Sequence, residues 1–180
     1  MTAQSTAPLA PSSPFGALDK MAVLLAFVLG LAAILGALGS QYFAGLQPCE
    51  LCLEQRYAYY WGLPVLAAVI VLWNRLPMPV WYLGMLIATA IFAWGTYMGT
   101  YHAGVEWGFW PGPTACTGVG GDLNFNDLQT GNIEHVVPCD QVQFRFLGIS
   151  LAGYNALVSL AIVGLLLVAI ADQWRRYRKA

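Results

Sequence analysis

Residues 21–39 read MAVLLAFVLGLAAILGALG, and no charged side chain interrupts the chain from there until Glu50. A helix needs roughly 20 mostly apolar residues to cross the hydrocarbon core of a bilayer. Three further uncharged runs follow. Counting the residues between Lys20 and Glu50, Arg56 and Arg75, Arg75 and Glu106, and Arg145 and Asp172, the four gaps hold 29, 18, 30 and 26 residues. Each supplies one crossing, near 19–39, 53–73, 78–99 and 147–171. β-Barrel spans would be shorter and alternate in polarity, which these runs do not.

Composition supports the same reading. Of the 180 residues, 58% are hydrophobic and 9% are charged, where soluble domains carry about 25% charge. A net charge of −1 argues against nucleic acid, whose phosphates demand a basic surface. The expectation is an all-α, four-helix bundle integral to the lipid bilayer. Residues 19–174 form its single domain, flanked by a disordered cytoplasmic tail over 1–18 and a basic tail over 175–180.

Orientation follows from Lys and Arg placement. With four spans, Lys20, Arg75, Arg175, Arg176, Arg178 and Lys179 fall on one side, while the opposite side holds only Arg145 outside the spans. Both termini are therefore expected in the cytoplasm. The short connection Asn74-Arg75-Leu76-Pro77-Met78-Pro79 makes spans two and three an antiparallel hairpin. The long loop of about 100–146, between helices 3 and 4, faces the other side, which in a bacterium is the periplasm.

All four cysteines fall on that side. Cys49 and Cys52 form Cys-Glu-Leu-Cys where the second span begins, and Cys116 and Cys139 lie in the long loop with 22 residues between them. An even cysteine count in an oxidising compartment suits disulfides. Two structural staples are one reading. A zinc site is another, although the second pair is widely spaced and His102 and His135 are isolated. Position favours redox chemistry, because a disulfide closing so short a segment restrains little chain entropy. A C-x-x-C at a helix N-terminus instead has its thiolate stabilised by the helix dipole. Arg56 lies one turn beyond Cys52 on the same face. A cation entering a span is a functional-site signal, with a snorkelling interfacial anchor as the plainer alternative.

Gln47-Pro48-Cys49-Glu50-Leu51-Cys52-Leu53-Glu54-Gln55-Arg56 resembles the P-C-x-L-C-x-x-x-R signature of the DsbB family of membrane disulfide-forming oxidoreductases. The resemblance takes in four spans, a C-x-x-C opening span two, a two-cysteine loop before span four, and Phe146-Leu147-Gly148 at the start of that last span. It implies that Cys116 and Cys139 form the loop disulfide that oxidises a periplasmic thioredoxin-like partner of the DsbA type. Cys116 would form the mixed disulfide, and Cys139 would pass electrons to Cys49. Cys52 would react with a membrane quinone, ubiquinone or menaquinone, held by Arg56. His102 is similar to a histidine lining the quinone pocket. Glu54-Gln55 departs from the tyrosine-glutamate pair found in part of the family. The implied location is the bacterial inner membrane, as a multi-pass protein. Membrane thiol oxidoreductases of the vitamin K epoxide reductase type usually carry the C-x-x-C near a later span. The non-enzymatic alternative is a scaffold or transporter subunit with two inert disulfides.

Energetics call for an external acceptor. A partner of the DsbA type sits at about −120 mV and stable structural disulfides below about −300 mV, a gap of roughly 180 mV or about 8 kcal/mol against the reaction. A lipid quinone suits the apolar setting, and the chain has no haem, iron–sulfur or flavin motif.

Two packing expectations complete the reading. Gly30, Gly36 and Gly39 are expected to let helices approach closely. Trp107-Gly108-Phe109-Trp110 is expected either to dip into the membrane surface or to pack on the protein.

Overall fold

The computed structural model describes residues 16–113 and 138–179. Cys116 and His135 lie outside the described residues, as do residues 1–15 of the expected N-terminal tail and Ala180 of the expected basic tail.

Four long helices stand among the described residues: α1 (Ala17–Tyr42), α2 (Glu50–Val71), α3 (Met78–Glu106) and α4 (Leu151–Tyr177). Local chemistry starts each one. The Gly16 N–H donates to Asp19 at the head of α1. The Cys49 sulfur accepts from the Cys52 N–H at the head of α2. Pro79 in the first turn of α3 has no N–H to leave unpaired, and Ser150 caps α4 by accepting from the Gly153 N–H. Helix α4 continues through Arg175 and Arg176, whose charges favour the negative end of its dipole.

The helices form a ring in which α3 packs along α2 and α4, and α4 packs along α1; the seam between α1 and α2 is the sparsest. Val23, Ala26, Leu66, Trp81, Met85, Phe92, Ile162 and Leu166 fill its middle. Leu25, Val28, Leu35, Trp61, Trp94, Leu160 and Leu167 point outward and are exposed, as suits helices bathed in lipid. At one end the Arg176 guanidinium pairs with the buried Asp19 and with Asp172, so the start of α1 and the end of α4 sit together.

Three of the four helices, α1, α3 and α4, are long and apolar enough to cross a membrane. Helix α2 is not among them, so helices of that kind account for three of the four expected spans. The first half of α2 carries Glu50, Glu54, Gln55 and Arg56 and then Tyr57, Tyr59 and Tyr60, so its apolar character is confined to the far half.

A correction concerns Phe146-Leu147-Gly148. These residues do not begin the last helix. They turn a small antiparallel hairpin, β1 (Arg145–Phe146) with β2 (Ile149–Ser150), pairing Phe146 with Ile149. Leu147 and Gly148 both have positive φ, 49° and 81°, the backbone sign that a two-residue type I′ turn requires.

The glycine expectation holds only in part. A Cβ on Gly30 would sit 2.9 Å from Leu63, but Gly36 has open space and Gly39 has only Phe43, 4.0 Å away. The close approach occurs instead at Gly99, where a Cβ would lie 2.8 Å from the Ala156 backbone nitrogen. In the aromatic run, Trp110 folds back onto α3, stacking on Tyr101 and donating to its carbonyl at 2.8 Å. Trp107 and Phe109 stay exposed.

Candidate active site

The end of the bundle opposite Asp19 and Arg176 gathers the head of α2, the last turns of α3 and the head of α4. Pro48 leads into Cys49, which sits at the N-cap of α2 with Cys52 in the first turn. The C-x-x-C spacing thus places both sulfurs on one side of the helix start, 2.7 Å apart, and both thiols are free. Both lie ahead of the apolar stretch of α2. The Cys49 thiol donates to Cys52; this bond, then burial, pushes Cys49 above the usual thiol range. The same hydrogen bond holds Cys52 below that range against the opposing effect of burial, with Arg56 assisting. The pair therefore shares a proton that rests on Cys49, leaving Cys52 as the readier thiolate.

Cys139 is disulfide-bonded, with neither free thiol as its partner. It is buried in one cluster with Cys49, Leu51, Met98 and Val105. Its segment is tied to the α1–α2 connection by Gln143, whose Nε2 donates to the Gln47 carbonyl at 2.5 Å. The structure thus brings three of the four cysteines to one place, although Cys139 is 87 positions beyond Cys52.

His102, on α3, is buried against Cys49, with Nε2 3.7 Å from its sulfur and 3.9 Å from Glu106. The Cys139 backbone also lies against this ring. The Cys49, Cys52 and His102 donor atoms all lie within 4.8 Å of one another.

Beside the sulfurs opens a cavity of about 350 Å³ between α1, α2 and α4. Ala33, Ile34 and Ala37 of α1 and Leu151, Ala152 and Val158 of α4 give it apolar walls, and Cys52, Gln55 and Arg56 give it a polar end. Arg56 is held by Gln41 of α1, to which its Nη1 donates at 2.6 Å.

Sequence reasoning did not single out Gln41, Tyr59 or Asn155, and it noted Gln55 only as a departure. A signal was present. Gln55 falls three residues after Cys52 on the same face, and Asn155 is an amide inside an uncharged run, where polar groups bind helices together.

Residues 19–169 match the family described as Disulfide bond formation protein DsbB. Among curated proteins, a Disulfide bond formation protein B of Polaromonas sp. strain JS666 is 25% identical over 86% of this chain and 93% of its own length. A Disulfide bond formation protein B of Polaromonas naphthalenivorans strain CJ2 is 28% identical, over 89% of this chain and 97% of its own.

Proposed function

This chain belongs to the DsbB family, membrane oxidoreductases of disulfide bond formation, and on that premise we propose that it reoxidises a thioredoxin-like dithiol oxidase of the DsbA type and delivers the electrons to a lipid quinone. The seat of the Cys49–Cys52 pair carries this reading. It has buried Cys139 on one side and an apolar-walled cavity with Arg56 on the other.

Electrons enter at the long connection. Cys116 exchanges with the partner's dithiol, and Cys139 is the cysteine that hands electrons inward. A Cys139 thiolate attacks the Cys49 sulfur of an oxidised Cys49–Cys52 pair. The S–S bond then breaks, a Cys139–Cys49 disulfide forms, and Cys52 departs as the thiolate. The partner's second thiol attacks its mixed disulfide with Cys116, which releases the partner as a disulfide and Cys116 as a thiolate; attack of that thiolate on Cys139 restores the loop disulfide and frees Cys49. The net result is two electrons on the C-x-x-C pair, the state whose geometry is described above.

The cavity fits a quinone head: its volume lies within the range of small-molecule sites, and its apolar walls are joined by polar side chains that include Gln55 and Arg56. A quinone bound there supplies a two-electron, two-proton acceptor. Arg56, fixed by Gln41, offers it a planar donor fork and a positive charge. Cys52 faces the same cavity and is the readier thiolate of the reduced pair. Membership of a family of disulfide-forming oxidoreductases does not favour a scaffold with two inert disulfides.

The topology we propose has four crossings, with α2 shielded as the fourth, and both termini in the cytoplasm. The cysteines then face the periplasm of a bacterial inner membrane, in keeping with the Lys and Arg asymmetry.

The test is oxidation of a reduced DsbA-type protein by the purified chain in detergent, with ubiquinone, with menaquinone and with neither. Catalytic oxidation only when a quinone is present is the expected result. A partner that stays reduced with both quinones refutes the proposal.

A further inference from the structure

Four side chains form a line of hydrogen bonds that ends at the cysteine pair. Tyr59 Oη donates to Asn155 Oδ1 at 2.5 Å, and Asn155 Nδ2 donates to Gln55 Oε1 at 2.6 Å. Gln55 Nε2 stands 2.7 Å from His102 Nδ1, and His102 Nε2 stands 3.7 Å from the Cys49 sulfur. Amide and imidazole orientations are fixed by the partners around them, and here those partners leave one solution. The Gln55 atom that meets the ring also lies 3.1 Å from the Leu51 carbonyl oxygen. A carbonyl only accepts, so this atom is the amide nitrogen, with one N–H for Leu51 and one for His102. Nδ1 therefore accepts, and the ring is neutral with its proton on Nε2.

We infer that Tyr59, Asn155 and Gln55 are positioning residues that hold His102 as its Nε2–H tautomer, so that a one-way donor chain runs through His102 and Cys49 and ends on the Cys52 sulfur. Each donor in such a chain is polarised by the one before it, and the last, Cys49, donates to Cys52. The chain thus stabilises negative charge on the cysteine from which electrons leave, and in that respect the inference rests on the proposed function. The same tautomer leaves no lone pair on Nε2. The trio of Cys49, Cys52 and His102, close as its donor atoms are, therefore does not take a cation in this state.

Nitrogen-15 spectroscopy of histidine reads the tautomer directly. The chain has two histidines, so a His135→Gln background isolates His102. In the reduced protein, with ring-labelled histidine in micelles, a protonated Nε2 and a bare Nδ1 are expected. Gln55→Glu places an acceptor against Nδ1 and should move the proton there. Asn155→Leu removes the donor that orients Gln55. It should mix the tautomers and slow alkylation of Cys52 by about tenfold, the loss expected for one hydrogen bond supporting a charge. A wild-type ring protonated at Nδ1 overturns the inference whatever the variants do. An Asn155→Leu protein with an unchanged ring and unchanged Cys52 reactivity overturns it too. A ring that reads Nε2–H in a protein unable to oxidise its partner would fault the proposed function and leave this inference standing.

Discussion

Arg56 donates from Nη1 to Gln41 Oε1 at 2.6 Å, joining the second turn of α2 to the last turn of α1 beside the cavity. The bond crosses the sparsest seam of the bundle, and it aims the guanidinium where a free arginine side chain would roam among rotamers. Arg56→Lys keeps the charge and loses the planar fork; Arg56→Met loses both. Both should raise the apparent KM for quinone, the methionine variant more and by about tenfold or beyond, with little change in KM for the partner protein. Gln41→Leu should shift the same constant by a smaller factor. Wild-type quinone dependence in all three variants would reduce Arg56 to an interfacial anchor.

Cys49→Ser and Cys52→Ser should each abolish turnover while the fold persists. Serine is a preferred N-cap, so Cys49→Ser keeps the helix start that the cysteine sulfur now serves. A thermal melt within a few degrees of wild type, together with lost quinone-coupled oxidation, is the expected pair of results.

The charge distribution of the pair should be visible in its alkylation. A thiol with its ordinary value of 9.0 loses thiolate tenfold per unit as pH falls below that point, whereas Cys52 is held lower and Cys49 higher. Between pH 7 and 8, iodoacetamide followed by peptide mapping should therefore label Cys52 before Cys49. The sign for stability follows the same logic. The depressed Cys52 favours the folded state as pH rises towards 9, whereas the raised Cys49 withdraws stability above it. Preferential labelling of Cys49 would reverse the assignment.

Gly36 lines the cavity and has no atom within 4 Å of where a Cβ would stand. Gly36→Val should accordingly be accepted without a fall in melting temperature, since the added methyls meet open space. It should still weaken quinone use by narrowing the apolar wall. An unchanged quinone KM would show that the head group sits elsewhere.

Mixed with the oxidised partner, whose disulfide the Cys116 thiolate attacks, Cys139→Ser should trap a mixed disulfide between Cys116 and that partner, because the loop thiol that resolves it is gone. A non-reducing gel shows the adduct directly. An adduct formed by Cys116→Ser and not by Cys139→Ser would exchange the two roles.

The C-x-x-C at the start of α2 was legible because its determinants are local. Pro48, an N-cap position and three-residue spacing act within one turn, and they specify the same helix start in any fold. The uncharged runs were legible for the same reason, since length and polarity along the chain decide whether a segment suits lipid. Phe146-Leu147-Gly148 was misread because an apolar tripeptide next to a span looks like more span. Only the pairing of Phe146 with Ile149 and two positive φ values make it a hairpin. Gly36 and Gly99 look alike in sequence, yet one borders a cavity and the other meets the Ala156 backbone. The hydrogen-bond line through Tyr59, Asn155, Gln55 and His102 joins α2, α3 and α4 across separations of 47, 96 and 100 residues. The sequence by itself determined the helices and the chemistry at the head of α2, because caps, periodicity and polarity act over a few residues. Only the tertiary structure decided which amide meets which ring and which arginine is held by which glutamine, because those choices depend on how helix faces rotate and pack against one another.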